Sequence, residues 1–135
     1  MNYKTFAVIA LVALAFIATA PAMAANTNTQ LANQLGFLNS ATQGVTYGNA
    51  NYQTVTQIGN KNAGLQIVSG NTNGQALGQG GFVNTRIQYV TGNKNTQIIN
   101  QLGAFNTGIQ TIGCNGNTQV ISQTGIGNHA VQTIG

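Results

Sequence analysis

The residues of this chain that could do chemistry are almost all primary amides. Asp and Glu are absent, so no side-chain carboxylate is at hand for general acid or base work or for holding a hard cation. One histidine, His129, and one cysteine, Cys114, fall at different places in the repeat described below, with nothing to orient them as a base and nucleophile would need. Neither enzymatic activity, nor a metal site, nor any cofactor is expected. Beyond residue 24 the fixed charges are Lys61, Arg86 and Lys94, too few and too scattered for a nucleic-acid footprint. Without a second thiol, Cys114 can form no intramolecular disulfide.

What recurs instead is Gln-x-Gly-x-x-Asn, at Gln34 to Asn39, Gln57 to Asn62, Gln79 to Asn84, Gln101 to Asn106 and Gln123 to Asn128. An amide carries two donors and an acceptor, so identical amides stacked at strand spacing can each donate to the next. One buried Gln alone would cost free energy; a column of them satisfies itself. A carboxylate repeated at that spacing would repel its neighbours, which accounts for the missing Asp and Glu. The expected ladder positions are Asn28, Gln30, Gln34, Asn39, Gln43, Asn51, Gln53, Gln57, Asn62, Gln66, Asn73, Gln75, Gln79, Asn84, Gln88, Asn95, Gln97, Gln101, Asn106, Gln110, Asn117, Gln119, Gln123, Asn128 and Gln132.

The elements that must hold such columns follow from the spacing. Gly48, Gly59, Gly70, Gly81, Gly92, Gly103 and Gly125 share one slot of an 11-residue unit, with Cys114 in the missing place and Gly36 one residue out of step. Counting from that Gly, units alternate between two types, giving a true period of 22. One type carries Asn, Gln, an apolar residue and Gln at slots three, five, seven and nine (Asn73-Gln75-Leu77-Gln79). The other carries Gln at seven and an aliphatic at nine (Gln66 and Val68). A two-residue period within each unit is that of a strand with one repeated inner face. Gly36, Gly48, Gly59, Gly70, Gly81, Gly92, Gly103 and Gly125 are expected in turns, Gly supplying positive φ and Asn tolerating the left-handed region. Strand, turn, strand, turn describes one rung of a β-solenoid, whose rungs bury their inner faces only by stacking. The fold class is all-β, with five rungs at residues 25–47, 48–69, 70–91, 92–113 and 114–135, about 24 Å tall at about 4.8 Å per rung.

Residues 1–24 carry Lys4, an apolar run from Phe6 to Ala18 and Ala22-Met23-Ala24, a signal peptide with its cleavage site. Its run is too short for a membrane span, and the mature repeat domain would be residues 25–135. Arg86 occupies an inward slot shared with Ala41, Gly64, Gly108 and Ala130; it is expected to snorkel past a turn or to lie where the strand starts one residue late. His129 is expected outward. Phe37, Tyr52, Phe82, Tyr89 and Phe105 are expected as exposed aromatics, solitary on the surface, with a role in adhesion or fibre bundling as the alternative. Thr85, Thr96, Thr107 and Thr118 share an outward slot but alternate between sheets, too sparse an array for ice binding.

With this motif the chain resembles the curlin family of bacterial extracellular amyloid subunits, whose repeats read roughly Ser-x5-Gln-x-Gly-x-x-Asn-x5-Gln. The family's Ser slot holds Asn28, Asn51, Asn73, Asn95 and Asn117 here, and the repeat opens at Ala25 without the family's usual non-repeat segment. The resemblance implies a secreted, extracellular cell-surface fibre for biofilm matrix and adhesion. Its expected partners are further copies of the chain stacked end to end, a nucleator subunit and an outer-membrane secretion pore, with no nucleic acid. The major subunit is the expected role. A minor nucleator, a monomeric solenoid adhesin and an ice-binding protein are the alternatives.

Overall fold

The computed structural model describes residues 6–10, 17–19 and 28–135. Its strands are β1 (Phe6–Ala10), β2 (Ile17–Thr19), β3 (Thr29–Phe37), β4 (Ser40–Tyr47), β5 (Tyr52–Asn60), β6 (Ala63–Ser69), β7 (Gly74–Phe82), β8 (Thr85–Thr91), β9 (Thr96–Ala104), β10 (Thr107–Ile112), β11 (Thr118–Ile126) and β12 (His129–Ile134). Odd-numbered strands form one parallel sheet, in the order β1-β3-β5-β7-β9-β11; even-numbered strands form the other, in the order β12-β10-β8-β6-β4-β2. Each turn of chain thus adds one strand to each sheet. From β3 onward this is the five-rung β-solenoid that the spacing predicts.

Register is set by the repeat. Gln53, Gln75, Gln97 and Gln119 lie opposite one another along one sheet, as do Gln66, Gln88, Gln110 and Gln132 along the other. Because a slip by one residue would turn every ladder amide outward, the pattern tolerates an insertion only at a strand end. The extra residue of the first rung is found there: Val45 pairs with Val68 and Tyr47 with Ser69, leaving Thr46 as a bulge.

Between the sheets each strand buries little that is apolar. Val55, Leu77, Ile99 and Ile121 come from the odd sheet and Val45, Val68, Val90 and Ile112 from the even one. Each such side chain contributes roughly 1.5–3 kcal/mol when fully buried. Apart from Ala32, Ala41, Ser69 and Arg86, the other buried side chains are amides.

The turns depart from expectation in two respects. Gly48, Gly70 and Gly92 stand in turns as expected, but Gly36, Gly59, Gly81, Gly103 and Gly125 lie one residue inside the ends of β3, β5, β7, β9 and β11, paired in register along the sheet. The slot glycines have φ between 112° and 129°, a conformation that excludes most side chains. The following left-handed step, however, falls on the residue before each Asn and not on Asn itself. Leu38, Ala50, Lys61, Thr72, Val83, Lys94 and Phe105 have φ of 53–59°. Asn cannot take that step because its side chain must turn inward to the ladder. Each strained residue costs about 1–2 kcal/mol. Stacked backbone bonds help hold the strain, for instance Val83 N–H to Asn60 O at 2.9 Å and Phe105 N–H to Phe82 O at 3.0 Å. In the last rung the same positions are Gly116 and Gly127.

Two strands precede the first rung. β1 lies on β3 with Phe6 opposite Gln30 and Ala10 opposite Gln34, and β2 lies on β4 with Ala18 opposite Ala41. Both belong to the segment read from sequence as a signal; its cleavage motif at Ala22 to Ala24, and Ala25, lie outside the described residues.

Candidate functional site

Three columns of Gln run the length of the solenoid. In the first, the Gln30 Nε2 donates to Gln53 Oε1 at 2.7 Å, Gln53 to Gln75 at 2.8 Å, Gln75 to Gln97 at 3.0 Å and Gln97 to Gln119 at 3.2 Å. The column from Gln43 through Gln66, Gln88 and Gln110 to Gln132 is equally continuous, at 2.7–3.0 Å. Every step donates from the N-terminal rung to the C-terminal one. The ladders are therefore polar.

The second N–H of these amides does work that slot counting does not reveal. Gln66 Nε2 reaches Thr54 O at 3.1 Å, Gln88 reaches Ala76 O at 3.2 Å and Gln57 reaches Ser40 O at 2.9 Å, each on the opposite sheet. Thus the amides tie the two sheets together as well as successive rungs. The signal that could have revealed this is the shortage of buried aliphatics.

Asn forms a column at each corner. Asn73 Nδ2 donates to Gly92 O at 2.8 Å, while its Oδ1 accepts the Asn95 N–H at 3.0 Å; Asn62 does the same with Gly81 and Asn84, at 3.2 and 3.1 Å. Asn39, Asn51, Asn84, Asn95 and Asn106 are buried likewise, and Asn28, Asn117 and Asn128 are half-buried at the ends.

Arg86 overturns both sequence expectations. Its strand starts in register, with Arg86 between Gly64 and Gly108, and its side chain stays inside at 1% exposure. Nε donates to Gln101 Oε1 at 2.7 Å, and the terminal nitrogens to Ile99 O at 3.0 Å and Gln101 O at 3.3 Å. Glycines flank it in the adjacent rungs, where a Cβ at Gly108 would lie 3.0 Å from Gln101 Nε2 and one at Gly64 3.2 Å from Leu77 Cδ2. Arg86 interrupts the third Gln column. Gln34 donates to Gln57, Gln57 to Gln79 and Gln101 to Gln123, but Gln79 turns to Ala63 O and Asn84 O because Arg86 holds its acceptor.

Desolvation pushes the Arg86 pKa down from 12.5 to about 8. The unfolded chain then binds the proton more tightly than the folded one, so stability rises with pH through that window. Arg86→Ala, which sets at this slot the residue that Ala41 and Ala130 already supply, is expected to close the Gln79–Gln101 step, to raise stability at pH 7 by removing a desolvated charge, and to abolish the alkaline rise. Denaturant midpoints at pH 7 and pH 10 check this; a less stable variant at pH 7 would contradict it.

The ends of the ladders are unsatisfied. Gln34 Oε1, in the first rung, and Gln119 Nε2, in the last, are buried without partners. One end lacks a donor and the other an acceptor.

His129 is exposed, as is Cys114. Cys114 takes its slot without the positive φ of the glycines, whereas a Cβ built on any slot Gly from the first rung to the fourth would meet a carbonyl of the next rung at 1.7–2.3 Å. Of the aromatics, Phe37, Tyr52, Phe82, Tyr89 and Phe105 are exposed as expected, but Phe82 and Phe105 are not solitary, packing edge to face with centroids 5.8 Å apart. Thr85 and Thr107 pair on one sheet and Thr96 and Thr118 on the other. Comparison of the chain with protein-family models, with curated proteins and with solved structures finds no match.

Proposed function

We propose that this chain is a structural subunit, the major one, of a curli-like extracellular amyloid fibre serving biofilm matrix and surface adhesion. The observation that carries the reading is the polarity of the ladders, which leave an acceptor bare at the first rung and a donor bare at the last. A second copy stacked head to tail would set Gln119 over Gln30, Gln123 over Gln34 and Gln132 over Gln43, continuing every column. Unpaired backbone at the two strand edges favours the same addition. That β3 and β4 accept a further parallel strand is supported by β1 and β2 lying there. Ala10, opposite Gln34, brings no amide, so another copy would satisfy that edge better. In this reading residues 1–24 direct export and are then removed, a nucleator and an outer-membrane pore assist assembly, and adhesion follows from the fibre surface. No catalytic role is proposed.

Incubating the chain with and without residues 1–24 tests this. Fibres are expected from the shorter chain after a shorter lag. Gln34→Lys or Gln119→Lys should slow elongation more than Thr96→Lys on the outer face. Equal effects at all three positions, or a soluble monomer throughout, would count against growth through the terminal rungs.

A further inference from the structure

The two turn edges of the solenoid differ in chemistry. Along the edge joining odd strands to even ones, the backbones of Phe37, Asn60, Phe82 and Ala104 accept bonds from Lys61, Val83, Phe105 and Gly127 of the succeeding rungs. Most of this column is apolar and bare: Phe37 is 48% exposed, Phe105 56% and Ile126 78%, with Leu38 and Phe82 also in solvent. The other edge carries exposed Asn49, Asn71, Lys94 and Asn115, with the exposed Tyr47 and Tyr52 flanking its first turn. Soluble monomers rarely expose contiguous apolar stripes unless these bind something.

We infer that the apolar edge is a lateral interface between two copies of this chain, joined side by side and antiparallel. The one charge in the stripe selects both partner and orientation. Lys61 lies in the second rung, at the turn position that Val83 fills in the third and Phe105 in the fourth. In a parallel pair Lys61 would face Lys61 and the charges would repel. Antiparallel pairing about the third rung sets Lys61 against the Phe105 ring, a cation–π arrangement. It also sets Phe82 and Val83 against their own symmetry mates, and Phe37 and Leu38 against Ile126. Such an interface is self-complementary and closed. The polar edge, with Lys94, stays in water, so association stops at two. Within the fibre reading above, on which this consequence alone rests, the mature fibre is a doublet of oppositely directed solenoids.

The test uses thiol placement in the purified chain carrying Cys114→Gly, to which Val83→Cys, Lys61→Cys or Lys94→Cys is added, and a short bis-maleimide linker. Crosslinked dimer is expected from the position 83 variant and not from positions 61 or 94, and Phe82→Ser with Phe105→Ser should abolish it. A crosslink at 61 would establish parallel pairing, and one at 94, or none at 83, would overturn the interface. Sedimentation velocity of the soluble chain keeps the inference separate from polymerisation. A soluble dimer lost in the Phe82→Ser and Phe105→Ser variant supports it even if no fibres form, whereas a wild-type monomer, or fibres of single-solenoid width, would overturn it.

Discussion

The chain carrying Gln75→Glu is expected to fold at pH 3 and to be unfolded at pH 7. Gln75 is buried; its Nε2 donates to Gln97 Oε1 at 3.0 Å and to Ile67 O at 3.3 Å, while its Oε1 accepts from Gln53 at 2.8 Å. A glutamate keeps the last of these bonds and turns an anionic oxygen toward two other oxygens. Flipping Gln97 and Gln119 would bring a donor to the new carboxylate. It would also set Gln97 Oε1 against the Tyr89 carbonyl, to which its Nε2 now donates at 3.2 Å. An uncompensated buried charge costs about 3–5 kcal/mol, a large part of the roughly 5–15 kcal/mol that a domain has. Desolvation raises the pKa of such a carboxyl in the folded state above its unfolded value. Stability is then present below the unfolded pKa of about 4.3 and is lost as pH rises toward the folded value. The wild-type chain has no carboxylate side chain and should keep its β signature from pH 7 to about pH 3. Circular dichroism of both chains across that range decides the matter; a variant equally folded at both ends would mean that the ladders tolerate charge.

The second large effect concerns the slot glycines. At Gly81 a Cβ would lie 1.9 Å from the Gly103 carbonyl oxygen, and φ is 118°; at Gly125 φ is 120° but the nearest atom is Asn128 Nδ2 at 3.3 Å. Gly81→Ala therefore meets a backbone clash that only separating two rungs can relieve, and should lose more than about 4 kcal/mol and with it the fold. Gly125→Ala carries the backbone strain alone, about 1–3 kcal/mol. In a head-to-tail stack the position 125 methyl group would meet the next copy's Gly36, so this variant should fold and yet fail to elongate. Thermal melts and fibre sedimentation of the two variants check the contrast. Similar melting temperatures would place the glycine requirement in local conformation and not in stacking.

The slots that bury amides, the alternation of units and the five rungs were legible because a two-residue period inside a 22-residue period leaves one way to keep identical residues together. What the spacing did not reveal depends on side-chain volume and reach. Arg86 could be seen as an inward residue, but the acceptors that hold it, Gln101 Oε1 and the Ile99 and Gln101 carbonyls, lie on the opposite sheet and meet it only once rungs are stacked. The left-handed step fell on Val83 and Lys94 in place of the Asn that follows because the ladder claims that Asn, a tertiary demand overriding local preference. The chain also shows that an insertion lies between Gly36 and Gly48 but not that Thr46 absorbs it, since placing the bulge requires the partner strand. The contact of Phe82 with Phe105 joins adjacent rungs at nearly equivalent turn positions and was hidden by reading each aromatic alone.

End-to-end stacking of whole solenoids is tested most directly by X-ray diffraction from oriented fibres of the purified protein. Parallel strands lying across the fibre axis give a meridional reflection at about 4.8 Å. Copies of five rungs joined head to tail with the ladders continuous add an axial repeat of about 24 Å, five times that spacing. Both reflections on the meridian are the expected result. A strand reflection without the longer repeat would contradict whole-solenoid stacking in favour of unregistered aggregation, and a protein that never leaves solution would contradict the fibre itself.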